Sequence, residues 1–168
     1  MKTLIKKAIT SPSTIYATRC VLGFLIGYAL YRRFVEYELF WGLISIILVI
    51  SPEEKDSRKL SYDRVKSNFI GSVVAIACVF VDKESHLLTL VVGILLTILV
   101  CKLFKILNYA RVAIVALLII LVEQHHSPIT YTPFFRFLTV AMGCLIGLFI
   151  VISTSYVLGI LRKKYIPR

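Results

Sequence analysis

The chain has 168 residues, 58% of them apolar and 17% charged, with a mean hydropathy of +0.86 and a formal net charge of +11. A water-soluble domain of this length cannot cover so much apolar side chain with polar surface, which excludes a freely soluble enzyme or binding module. The basic balance raises nucleic acid as a partner, but the placement of the charges along the chain excludes it.

In chain order, Met1–Lys7 resembles the charged start of a signal peptide. Arg19 interrupts the apolar stretch behind it and no small-residue cleavage site follows, so no cleavage is expected. A first span over residues 14–34 opens at Ser11-Pro12-Ser13, a cap followed by a proline that suits the first helical turn. Aromatic residues from Tyr28 to Trp41, including Tyr37, collect at the end of span one and the start of span two. They read as an interfacial belt, with a stacking surface for an aromatic substrate as the alternative. Span two, 38–52, holds only the short apolar run Leu39–Ile50 and closes at Pro52. A loop rich in both charges, Glu53–Lys66, leads to span three at 65–81, and span four follows at 86–104 after a short turn. Span five, 108–123, is again short, and the polar stretch beyond it carries His125-His126 and Pro128. Span six covers 134–160 and takes in nearly all of the charge-free run Phe137–Leu161. That run alone extends about 37 Å at ~1.5 Å per helical residue, enough for a hydrocarbon core of ~30 Å.

These spans describe an all-α polytopic membrane protein with six transmembrane helices and no soluble domain. With the N-terminus inside, 16 of the 20 basic residues fall on the inner side. Only Arg32, Arg33, Lys83 and Arg136 lie outside. The basicity therefore encodes orientation, with both termini cytoplasmic and the lipid bilayer as partner, and does not signal nucleic acid. One pattern occurs twice: "DRVKSNFIGSVVA" places Arg64 seven residues before Gly71 and eleven before Ala75, and "RFLTVAMGCLIG" places Arg136 at the same spacing before Gly143 and Gly147. Because the two stretches lie three spans apart, they run in opposite directions. That arrangement, with short spans two and five at matching places, predicts an inverted three-plus-three repeat.

No phosphate loop, nucleophile elbow or ligand cluster is present, so no enzyme, cofactor or metal site is expected. His125 and His126 are adjacent in a polar loop, where ligands are poorly preorganised, and the four cysteines read as small packing groups. Gly23/Gly27, Gly71/Ala75 and Gly143/Gly147 each place small residues at a four-residue step, for close helix packing or for backbone lining a narrow path. Arg64 with Lys66 can anchor to lipid phosphate, whereas Arg136 either snorkels outward or faces an aqueous vestibule. Arg19 and Arg111 also stand near span starts. Were these arginines to share one cavity, their potential would attract anions, and Asn68 and Thr139, one turn beyond Arg64 and Arg136, would add hydrogen bonds to a carboxylate.

"FWGLISIILVISP" (Phe40–Pro52), a charged loop, "NFIGSVVA" (Asn68–Ala75) and "RFLTVAMGCLIG" resemble, in order and spacing, the membrane module of the fusaric acid resistance / aromatic acid exporter family. The resemblance runs from about Thr14 to Gly159 and rests on a tryptophan opening span two (Trp41), a proline closing it (Pro52) and a Gly-Ser step in span three. It implies export of organic anions, aromatic carboxylates above all, across a bacterial inner membrane. Arg64 and Arg136 would then be the positive groups of the path, and Trp41 and Pro52 would shape span two. Asn68 stands where such proteins often carry arginine, and Thr139 where they often carry an acidic residue. Larger members add a second membrane module, so a six-span unit is expected to work as a homodimer. The rival expectation is a non-transporting membrane scaffold or accessory subunit.

Overall fold

The computed structural model describes residues 11–34, 39–82, 86–123 and 132–165. Among them are six α-helices and a short 3-10 turn: α1 (Pro12–Arg33), α2 (Phe40–Val49), α3 (Glu54–Val81), α4 (Leu87–Leu103), the turn Leu107–Tyr109, α5 (Ala110–Glu123) and α6 (Thr132–Tyr165). No strand occurs among the described residues, so the chain is all-α. Three helices, Pro12–Arg33, Glu54–Val81 and Pro133–Lys163, are long and apolar enough to cross a membrane. The remaining apolar helices, Phe40–Val49, Leu87–Leu103 and Leu107–Val122, are shorter. Ten residues make a helix of about 15 Å, half the thickness of a hydrocarbon core. The histidine pair, Pro128 and Tyr37 lie outside the described residues.

The chain divides into two compact units: residues 1–61 with 141–168, and residues 62–140. In the first, α1 turns Ile15, Arg19, Gly23 and Gly27 inward at a four-residue step. A Cβ on Gly23 would meet the side chains of Ile50 and Ile46, and one on Gly27 would meet Ile46 and Leu43. The core behind them is Ile46, Ile50, Ile150 and Val151. In the second unit α4 does the same with Gly93, Thr97 and Cys101, and the core runs through Val74, Ala75, Ala113, Leu117 and Leu121. The large side chains of these two helices, such as Val21 and Leu25 or Leu95 and Leu99, point outward. Small groups inside and large ones outside suit an apolar solvent, where outward leucines cost nothing and close backbone approach supplies the attraction.

Glu53–Lys66 is not a loop: α3 begins at Glu54, eleven residues before the expected span. Glu54 and Asp56 in its first turn favour the positive end of the helix dipole, and Arg58 bonds Glu54 at 2.7 Å one turn on. The Ser57 hydroxyl also accepts from the backbone N–H of Ser51 at 2.9 Å. Charged residues excluded from hydrocarbon thus still form helix. Helix α6 likewise outruns the expected 134–160 at both ends. Helix α4 stops in a Schellman turn, Ile106 N–H to Cys101 O at 2.9 Å and Lys105 N–H to Lys102 O at 3.1 Å, with Lys105 at φ 57° where glycine is usual.

Candidate functional site

In the first unit, Arg19 lies within an apolar helix yet is only 2% exposed. Its Nη1 donates to the carbonyls of Ser51 (2.7 Å) and Pro52 (2.8 Å). Nε donates to Thr154 Oγ1 (2.9 Å) and Nη2 to Ser155 Oγ (2.7 Å). The cause lies in α2, which ends at Val49 because Ile50 is extended and Pro52 follows. Carbonyls at that end have no helical partner, and a guanidinium supplies donors together with the charge that suits a helix C-terminus. Arg19 ties span one, the end of span two and α6 into one knot.

The second unit holds the other polar residues that the sequence singled out. Asn68 and Ser72, one turn apart on α3, are each 4% exposed, and Arg136 and Thr139 on α6 are 3% and 7% exposed. The Phe69 and Phe137 rings, each next in sequence to one of these residues, meet edge to face with centroids 5.4 Å apart, so α3 and α6 adjoin at that level. Thr139 Oγ1 donates to the Arg136 carbonyl at 2.9 Å. Asn68 Nδ2 and Ser72 Oγ are buried and have no hydrogen-bond partner among the described residues. Buried polar atoms without partners are rare, and in an apolar surrounding each costs about 1–3 kcal/mol unless something meets it. Arg64 is half-buried, one turn before Asn68, while Arg111 is exposed. The structure therefore buries four of the six arginine-path residues, Arg19 in one unit and Asn68, Arg136 and Thr139 in the other.

The ladders of spans three and six sit against backbone. A Cβ on Gly143 would collide with the Gly42 carbonyl oxygen and stand 2.9 Å from Ser45 Cβ. One on Gly71 would collide with the Ala113 carbonyl oxygen and stand 2.9 Å from Ala116 Cβ. Ala75 is fully buried, and Gly147 faces the backbone of Ile46. Trp41 contributes its carbonyl to Ser45 Oγ at 2.7 Å and its ring to Phe40, and the Pro52 carbonyl belongs to the Arg19 knot. Sequence reading missed Ser72 as a site residue and Gly93/Thr97 as the counterpart of Gly23/Gly27. The first was legible as a serine four residues after Asn68, the second as a small residue and a β-branched hydroxyl at the same step. No group of three or more metal-ligating side chains occurs among the described residues.

An all-helical chain with helices long and apolar enough to cross a bilayer, and with charged groups turned inward, is a membrane protein. It belongs to the fusaric acid resistance protein-like family, whose model matches residues 20–150. At the level of the family this places it among membrane transport and export proteins. No curated protein and no solved structure matches the chain.

Proposed function

We propose that the protein is an inner-membrane channel or transporter that moves organic anions, aromatic carboxylates included, outward across the membrane. Six spans form an inverted three-plus-three repeat with both termini cytoplasmic, and two copies make the working unit. The observation that carries this reading is the buried polar set of the second unit, Arg136 with Asn68, Ser72 and Thr139. Ionisable groups at membrane depth are costly and usually mark an ion or substrate path. Arg136 supplies a positive charge, the unmet Asn68 amide NH2 is a donor and the Ser72 hydroxyl can donate, which favours an anion with oxygen acceptors as guest, against the one unmet carboxylate oxygen of this unit, Asp63 Oδ2. Arg64 stands at the approach to this set, and Arg19 keeps span two in place.

Two likenesses support the repeat. Gly71 packs on Ala113 and Ala116 as Gly143 packs on Gly42 and Ser45, so span three crosses span five as span six crosses span two. The paired positions lie 72 residues apart for the glycines and 71 for their partners. An inverted repeat requires that exchange of partners.

The test is carboxylate flux into proteoliposomes for wild type, Arg136→Gln and Asn68→Ala. A fall of at least about tenfold in flux is expected for Arg136→Gln, the loss of roughly 1.4 kcal/mol or more of anion stabilisation. Equal flux in all three would remove these residues from the mechanism, and no flux of any carboxylate by wild type would favour the membrane scaffold. Cross-linking in native membranes should yield a dimer band.

A further inference from the structure

In the second unit, α3 and the end of α4 enclose a groove of about 480 Å³. Phe69, Val73 and Ala77 line it on α3 at a four-residue step, and Leu96 and Phe104 line it from the side of α4. All five are exposed, so the groove opens on the outside of the bundle, where the bilayer lies. Every lining residue is apolar except Lys66, which stands at one end. The far end is at Ala77, whose small side chain leaves the depth unfilled.

Lys66 is the last charged residue of α3 before the charge-free run 67–81, which puts it where hydrocarbon meets headgroups. Its ammonium lies 4.1 Å from the centre of the Tyr62 ring, one turn earlier. That contact positions the ammonium without neutralising it, because a ring face attracts a cation through its quadrupole and carries no net charge. Lys66 makes no ion pair or hydrogen bond through its ammonium among the described residues, so three N–H donors remain for a guest. Asp63, the one carboxylate within a turn of it on α3, bonds the Tyr109 hydroxyl instead. Lys102 and Lys105, exposed at the end of α4 on either side of Phe104 in sequence, are basic as well.

From Lys66 to Ala77 the groove follows eleven residues of helix, about 16 Å at ~1.5 Å per residue. That is half of a hydrocarbon core of ~30 Å, the depth of one leaflet and so the length of one lipid chain. A lone surface lysine touches headgroups in passing, and a bare apolar groove takes any chain. A cation at the head of a leaflet-deep groove selects a molecule with a negative head and a long chain together. We propose that this groove is a binding site for an anionic phospholipid, with one acyl chain between α3 and α4 and the phosphate at Lys66. A zwitterionic headgroup carries its own cation, which competes with Lys66 for the phosphate. Asn68 and Ser72 do not line the groove, and its test does not read transport.

Delipidated full-length protein in detergent is titrated with phosphatidylglycerol, with phosphatidylcholine of the same chains and with palmitate, and binding is followed by native mass spectrometry. Wild type should bind phosphatidylglycerol about fivefold more tightly than phosphatidylcholine, the contribution of one lysine near a membrane surface. Lys66→Gln should remove that preference, whereas Lys59→Gln, at an exposed lysine of the other unit, should keep it. Ala77→Phe, which fills the far end of the groove, should weaken both phospholipids alike and spare their short-chain forms. Equal affinity of wild type for the two phospholipids would mean bulk lipid and overturn the proposal, as would a preference retained in Lys66→Gln or lost equally in Lys59→Gln. Long-chain phosphatidylglycerol binding Ala77→Phe as it binds wild type would overturn the placement of the chain. Full displacement of phosphatidylglycerol by an equal concentration of palmitate would overturn the phospholipid in favour of a free fatty acid.

Discussion

Adding one methyl group at Gly71 or Gly143 tests the packing that organises both units. The added Cβ would overlap a carbonyl oxygen and approach a second Cβ at 2.9 Å, where ordinary carbon contacts lie near 3.5 Å or beyond. The obstacle at both positions is backbone, Ala113 or Gly42, so no rotamer change relieves it and the helices must separate by several tenths of an ångström. Overpacking of this kind costs about 1–3 kcal/mol. Replacing glycine by alanine in a helix returns up to about 1 kcal/mol of helix propensity, so the net loss is about 0–2 kcal/mol. Gly159→Ala supplies the reference, since its Cβ meets nothing and only the propensity gain applies. Gly71→Ala and Gly143→Ala should therefore each fall about 1–3 kcal/mol below Gly159→Ala in detergent unfolding followed by circular dichroism. If all three variants unfold alike, the crossings are looser than described and the packing argument fails. A loss at only one of the two positions would break the likeness between the units.

Arg19→Gln, which strips charge-assisted bonds from the Ser51 and Pro52 carbonyls, should cost at least about 3 kcal/mol or abolish folding, whereas exposed Arg111→Gln should stay within about 0.5 kcal/mol. Arg19→Lys should not rescue, because an ammonium cannot span four acceptors in one plane, and thermal unfolding of the purified variants distinguishes these outcomes. Lys105→Gly should raise stability by about 0.5–1 kcal/mol in the same assay, since it places glycine at a left-handed position; a lower midpoint would mean that the Lys105 side chain supports the turn. In a Cys20→Ser background, where Cys78, Cys101 and Cys144 are buried, Arg58→Cys should react with a membrane-impermeant thiol reagent from the cytoplasmic side and His86→Cys from the opposite side. Labelling of both from one side would contradict a crossing by α3.

The amino-acid sequence alone determined that this is an all-helical membrane protein, because hydropathy and charge placement act through bulk solvation and need no knowledge of neighbours. It also marked the Gly71/Ala75 and Gly143/Gly147 ladders and Arg136, since four-residue spacing and an isolated charge are local signals. The charged segment after Pro52 was misread as a loop because charge reports exclusion from hydrocarbon and not the absence of helix; the Glu54–Arg58 pair and an acidic first turn make it helical. Only the tertiary structure decided that Arg19 closes the end of α2 rather than standing alone in a helix. Its four acceptors come from segments 32 to 136 residues away in sequence, and no local pattern specifies such a meeting. The same holds for Asn68 and Ser72, which a sequence shows only as polar residues: burial without a partner depends on which atoms the rest of the fold brings near.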